Sequence, residues 1–306
     1  MTQPTLSAIE VAELLHQAGL KIAPEAIRVE PREERWVAHL PDDRILWLAM
    51  SEQGRDQLRT ERKVLQLLEA QCAFTAPRLL YESADGQFDV RSKVPGLVDP
   101  WRFYRLLHQD TAFAAQTGAA ISKILIEQHT QIQAQQTEGW LPSTVSWPEP
   151  PTWIRDRLPR VIQEVGLLRE IETILGEYER LQVEAVDCVL VHSDIGLHNL
   201  AFDPDTLTVQ GIFDYDGAAW ADRHHDFRYL VFDFDRSEVL ESALAIYEPA
   251  IGVRLSRQRI YLYNAVCAFS FLAYRLGTPE DEKSCGQTLA QDLRWSRWAI
   301  AQLEQF

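Results

Sequence analysis

The chain has 306 residues, 46% of them hydrophobic and 25% charged, the balance of a folded protein with one large or two modest domains. Its 45 acidic against 30 basic residues leave a formal charge of −15, which argues against a nucleic-acid partner because the phosphates would be repelled. Four scattered cysteines make no C-x-x-C pair, and no apolar run approaches the ~20 residues needed to span a bilayer. The start, Met-Thr-Gln-Pro, has neither the basic residues nor the apolar core of a signal peptide, so a cytoplasmic protein with reduced thiols and no membrane partner is expected.

In chain order, Ser7 and Glu10 have the spacing of a helix capping box, and Gly19 is placed to end that helix. Ile27–Glu30, Trp36–Leu40 and Arg44–Met50 read as strands, the last two joined by Pro41-Asp42-Asp43. Gln53–Gln71 carries Leu58, Val64, Leu65 and Leu68 at helical spacing. Pro77–Glu82 and Gln87–Val94 are two more strands, closed by Pro95-Gly96. From Trp101 the chain turns mainly helical, with helices expected over 101–109, 111–135, 154–165 and 167–181. Residues 137–153, with four prolines and three tryptophans, form the one obvious loop. It is either a flap over a binding site or a loop pinned to the surface by its own tryptophans. Helices are expected again over 226–234, 238–247, 256–276 and 288–306.

Between the two helical sets lies Val189–Gly217. An apolar run leads into His192-Ser193-Asp194, Asn199 follows five residues after Asp194, and Asp214 ends a second apolar segment fifteen residues later. Phosphoryl transfer needs a carboxylate to orient a hydroxyl nucleophile, and an amide with a second carboxylate to hold Mg²⁺ on nucleotide phosphates. A β-hairpin with Asp and Asn in its turns is the plainer reading of the same residues. It does not explain the aspartate after the second strand or the matching parts found upstream. The stretch resembles the aminoglycoside phosphotransferase and choline-kinase-like family of small-molecule kinases, on His192, Asp194, Asn199, Ile212–Asp214 and the Asp222–Asp226 helix start.

That resemblance implies a two-lobed, protein-kinase-like α+β fold. Residues 1–95 would form a small antiparallel-sheet lobe for nucleotide, and residues 96–306 a larger, mainly helical lobe for catalysis and acceptor. It implies Asp194 as the base, Asn199 and Asp214 as Mg²⁺ ligands, and Glu61 as the helix glutamate that pairs with a strand lysine beside ATP or GTP. His192 would be a scaffold for the loop, Asp226 a buried support for its backbone, and His129 structural. The acceptor would be a hydroxyl of a small molecule: aminoglycosides first, then macrolides, choline-type alcohols, amino alcohols and sugars. Glu238 and Glu241 are candidates for an acidic patch toward such amines.

The sequence departs from the family in the small lobe. The loop expected to be glycine-rich reads Pro31-Arg32-Glu33-Glu34-Arg35, and the third strand has Trp47 or Ala49 where a lysine belongs. Arg32, Arg35 or Arg44 could serve instead. The alternative function is therefore a catalytically weak or non-catalytic binding protein. Asp216 is read as a turn residue before Gly217 rather than a metal or acceptor contact. His198 faces either the site or the core. A transition-metal site at His224-His225-Asp226 is disfavoured, since adjacent helical side chains point about 100° apart.

Overall fold

The first helix, α1 (Ala8–Gln17), is set by its ends. Ser7 Oγ accepts from the Glu10 N–H at 3.3 Å and the Glu10 carboxylate accepts from the Ser7 N–H at 2.7 Å, the reciprocal capping box that the sequence predicts. Gly19, at φ +80°, turns the chain so that the Leu20 N–H reaches the Leu15 carbonyl at 2.8 Å. The computed structural model describes residues 6–32, 34–232, 235–284 and 286–306.

Five strands follow or flank one long helix: β1 (Arg28–Arg32), β2 (Arg35–Leu40), β3 (Arg44–Ala49), α2 (Glu52–Gln71), β4 (Leu79–Glu82) and β5 (Phe88–Ser92). They form one antiparallel sheet in the order β1-β2-β3-β5-β4. Asp42 and Asp43, both at positive φ (58° and 50°), make the tight β2–β3 turn whose twist matches the strands. Side chains alternate across the sheet. Trp36, Ala38, Leu40, Leu46, Leu48, Phe88 and Val90 pack with Val11 and Leu15 of α1 into one core. The alternate positions Arg35, Val37, Trp47, Asp89 and Arg91 therefore lie on the opposite face. Helix α2 belongs to both halves of the molecule. Its Val64, Leu65 and Leu68 are part of the main core with Leu190, Phe202 and Ile212, while Glu61 reaches the sheet.

The junction is tight. Gly96 sits at φ +121°, and a Cβ there would lie 2.6 Å from the Phe202 carbonyl oxygen. Next to it, Leu97 and Phe202 exchange both backbone hydrogen bonds, at 2.7 and 2.9 Å. Beyond lie α3 (Pro100–Gln109) and α4 (Thr111–Gln131). Helix α4 stops four residues short of the expected Gln135. Ile132 goes extended and buries its side chain in the main core, and a single turn, α5 (Ala134–Thr137), follows. Helix α6 (Pro151–Val161) starts on its proline, which suits a first turn that has N–H groups to spare, and α7 (Val165–Arg180) follows.

The central stretch makes two small antiparallel pairs: β6 (Cys188–Val191) with β9 (Ala219–Asp222), and β7 (Leu200–Phe202) with β8 (Val209–Ile212). Helices α8 (His224–Phe232), α9 (Ser237–Ile251), α10 (Arg257–Tyr274) and α11 (Leu289–Leu303) complete the chain. Ile154, Leu158, Ile171, Leu175, Phe269, Leu272 and Ile300 form a second helical core. Among the described residues, no helix is long and apolar enough to cross a membrane.

Candidate active site

Strand β6 ends at Val191, and the chain leaves it through a backbone that one carboxylate holds. Asp226, in the first turn of α8 and fully buried, accepts from the His192 N–H at 3.1 Å and the Ser193 N–H at 2.7 Å. It also takes the Gln128 amide at 3.3 Å and the His129 ring at 3.0 Å. Arg228 donates to the Ser193 carbonyl at 2.9 Å. These bonds keep Ser193 at φ +68°, a conformation that a non-glycine residue holds only when its surroundings impose it. Burial keeps the His129 imidazole below its ordinary pKa, with Arg223 adding to that and Asp226 opposing it. The His192 ring lies between two loops. Nε2 donates to the Phe213 carbonyl at 2.9 Å, and Nδ1 accepts the Asp194 N–H at 3.2 Å. His192, His129 and Asp226 thus occupy the supporting positions expected of them.

Asp194, Asn199 and Asp214 come together at the ends of these strands. The Asn199 amide nitrogen donates to the Asp194 carbonyl at 2.9 Å and to its carboxylate at 3.0 Å, which leaves the amide oxygen for another partner. The Phe213 N–H binds the Asn199 carbonyl at 3.1 Å and brings Asp214 alongside. His198 points toward the site, its Nε2 3.2 Å from the Asp194 carboxylate. Burial works to raise the Asp194 pKa, but hydrogen bonds from His198 and Tyr229 and the nearby His charges hold it down at about 2. This carboxylate is ionised at neutral pH.

Asp214 is its electrostatic opposite. The residue stands at φ +70°, and its buried Oδ1 has no hydrogen-bond partner among the described residues. Burial, then the negative charges of Asp216 and Glu61, push its carboxyl up to about 8, with Arg35 opposing them. A buried carboxylate oxygen with no hydrogen-bond partner among the described residues, on the turn that the Phe213 N–H ties to the Asn199 carbonyl, suits a hard cation, so the residues present fit Mg²⁺.

The sheet side is organised around Glu61, which is 1% exposed. Its carboxylate meets Arg91 Nη1 at 2.6 Å and Arg35 Nη1 at 3.5 Å. Burial opposes ionisation, yet the two guanidinium groups hold Glu61 below its ordinary pKa. Both arginines also stack on Trp47, with guanidinium carbons 4.6 and 5.6 Å from the ring centre. Glu61 therefore has cationic partners, supplied by β2 and β5 rather than by β3. Of the three arginines singled out in the sequence, Arg35 enters the site. Arg44 binds the Pro41 carbonyl and Asp42, and Arg32 is exposed beside Glu30. Arg91 was missed. Its signal was the charged Asp89-x-Arg91 pair alternating with the apolar Phe88 and Val90 of one strand.

Other expectations change in detail. Asp216 is more than a turn residue, because its carboxylate takes Arg35 Nη2 at 2.6 Å across 181 residues of sequence. Among the described residues Glu238 and Glu241 do not converge on one patch, since they pair separately with Arg236 and Arg257. The loop at 137–153 is pinned by its tryptophans. Trp140 donates to the Gln136 carbonyl at 2.9 Å, Trp147 packs on Phe271 and Tyr274, and Trp153 packs on Tyr274. His224 bonds Asp222 while His225 stacks on Tyr263, so the two imidazoles diverge. Asp187, Asp222 and His224 do gather ligand atoms within 4.8 Å of one another, but the Arg259 guanidinium already bridges both carboxylates.

With this geometry in view, the likenesses to known proteins are informative. The profile of the phosphotransferase enzyme family matches residues 11–258. Several solved structures share the fold over nearly their whole length. The GDP complex of wild-type aminoglycoside 2'-phosphotransferase-IIIa is 15% identical, with a TM-score of 0.74, over 99% of this chain and 100% of that one. The GDP and kanamycin complex of APH(2")-IIIa is 18% identical, with a TM-score of 0.66, over 95% and 98%. The apoenzyme of a macrolide 2'-phosphotransferase from Brachybacterium faecium is 16% identical, with a TM-score of 0.63, over 97% of each. The small antiparallel-sheet lobe and larger helical part match these kinase-like structures. No curated protein matches the chain in sequence.

Proposed function

The chain belongs to the phosphotransferase enzyme family, and from that premise we propose that it transfers the γ-phosphate of ATP or GTP to a hydroxyl of a small molecule. The observation that carries this reading is the meeting of Asp194, Asn199 and Asp214 beside a helix glutamate that has cationic partners. Residues 1–95 are assigned to the nucleotide and residues 96–306 to catalysis and the acceptor, with a cytoplasmic location. The non-catalytic alternative is not favoured, because the missing strand lysine has not left Glu61 without a cation.

Asp194 is assigned as the base. Ionised at neutral pH, it accepts a hydrogen bond from the acceptor hydroxyl and aligns its oxygen, then takes the proton late as the new P–O bond forms and the bond to the nucleoside diphosphate breaks. Asn199 Oδ1 and Asp214 are assigned to hold Mg²⁺. When bound, Mg²⁺ neutralises charge on the transferring phosphates. Asp226 acts one step back, by fixing the peptide groups on which Asp194 stands.

For the acceptor, aminoglycosides come first, since the similar structures include a kanamycin complex and a gentamicin complex. Macrolides, choline-type alcohols, amino alcohols and sugars follow. The test is nucleotide consumption across a panel of these alcohols and antibiotics, with ATP and GTP, alongside thermal stabilisation by each nucleotide with Mg²⁺. Turnover with one acceptor class supports the reading. No turnover and no shift with either nucleotide at millimolar concentration would sink it.

A further inference from the structure

Resting on the nucleotide reading above, we infer that Arg35 is the phosphate-gripping cation of this chain, held in reserve by Asp216 until a nucleotide diphosphate takes its place. The two arginines at Glu61 are committed to different degrees. Arg91 is spent: Nη1 binds Glu61 at 2.6 Å, while Nε and Nη2 bind Asp89 at 2.6 and 3.1 Å. Both of those carboxylates belong to the same lobe, and Arg91 is 1% exposed. Arg35 is held more loosely. Its contact with Glu61 is long, at 3.5 Å, and among the described residues its buried Nε has no partner and its one short bond is to Asp216 at 2.6 Å. That bond leads out of the sheet and onto the turn that carries Asp214.

Releasing Asp216 therefore strands nothing in the small lobe. Glu61 keeps Arg91, Arg35 keeps its face on Trp47, and a planar guanidinium is freed from a carboxylate that lies two residues beyond the proposed metal ligand. A diphosphate accepts from a guanidinium as a carboxylate does, with more charge and further oxygens for the idle Nε. The freed Asp216 carboxylate keeps about a third of its surface in contact with solvent. The same exchange explains how nucleotide could be held without a β3 lysine: the cation comes from β2, next to the hairpin that replaces the glycine-rich loop.

The experiment is calorimetric titration of the purified chain with ADP and GDP in Mg²⁺, with adenosine and guanosine as phosphate-free controls. Arg35→Met is expected to lose about ten- to a hundred-fold in diphosphate affinity, the worth of a charge-assisted bond, with nucleoside affinity unchanged. Arg35→Lys should recover part of the loss, and Arg32→Met, on the exposed neighbour, should change nothing. Asp216→Asn removes the competitor and should tighten diphosphate binding by roughly three- to tenfold, as expected when a competing pair is removed. Should Arg35→Met fail to fold, Asp216→Asn and Arg35→Lys carry the test. Unchanged or weaker diphosphate binding in Asp216→Asn overturns the inference, as does equal loss of nucleoside and diphosphate in Arg35→Met. A wild-type chain that binds neither diphosphate overturns the nucleotide reading itself, and the inference with it.

Discussion

The two halves of the site are built by different means. Around Asp194, short side chains grip backbone: Asp226 takes two N–H groups, His192 links two loops, and Asn199 ties off the Asp194 carbonyl. Around Glu61, long guanidinium groups grip carboxylates from different elements. The first arrangement fixes a position, because a peptide group held at both ends leaves a two-bond side chain little freedom. The second fixes a charge balance and leaves partners interchangeable. That difference fits an Asp194–Asp214 spacing that is intact beside a Glu61 whose cations come from β2 and β5.

If the rigid half does the chemistry, Asp194→Ala should lower turnover about 10²- to 10⁴-fold and leave unfolding nearly unchanged, measured by nucleotide consumption and denaturant titration. Retained turnover would take the base role from Asp194. Stability should separate the halves next. Asp226→Ala strands two backbone donors and should cost about 3–5 kcal/mol in urea unfolding. Glu61→Gln should cost only about 1–2 kcal/mol, because Arg91 keeps Asp89 and Arg35 keeps Asp216. Equal losses would erase the distinction.

The pH response should sharpen the contrast inside the Asp194 half. The Asp214 carboxyl, raised from 3.8 to about 8, holds a proton when folded that it has lost when unfolded. Its contribution to stability is therefore present below about pH 4 and lost as pH rises toward 8. In EDTA, the melting temperature should fall between pH 6 and 8, and this fall should flatten in Asp214→Asn. Because Mg²⁺ competes with that proton, nucleotide-dependent Mg²⁺ affinity should rise more than tenfold over the same interval. A pH-independent Mg²⁺ affinity would remove Asp214 from the metal set. The smallest effect is expected at His198. His198→Ala lets the Asp194 pKa rise from about 2, yet Asp194 stays ionised at pH 7, so turnover should drop only a few-fold while the acid limb of the rate profile moves up. A hundred-fold loss would give His198 a larger part.

What could be read in the sequence follows the same division. The α1 ends and the Asp42-Asp43 turn depend on neighbours a few residues away, and spacing carried them, whereas the Asp194–Asn199–Asp214 set is read through its resemblance to a kinase family. Arg35 meets Glu61 across 26 residues and Asp216 across 181, separations at which no local pattern exists. Arg91 hid because a charge in an apolar strand reads as an edge or an exception until the facing carboxylate is known. Helix α4 ended early for a similar reason, since the burial of Ile132 outweighed the local preference for helix.

The Leu97–Phe202 clamp has a mechanical meaning. A linker that exchanges two backbone bonds with β7, with Gly96 pressed on the Phe202 carbonyl, behaves as a weld rather than a joint. Any opening that admits nucleotide must then be borne elsewhere, and the Arg35–Asp216 contact is a fastening that can be released without breaking a strand or unpacking a core. On the proposed nucleotide reading, loading the site would undo the Arg35–Asp216 ion pair while the Leu97–Phe202 pairing stays fixed.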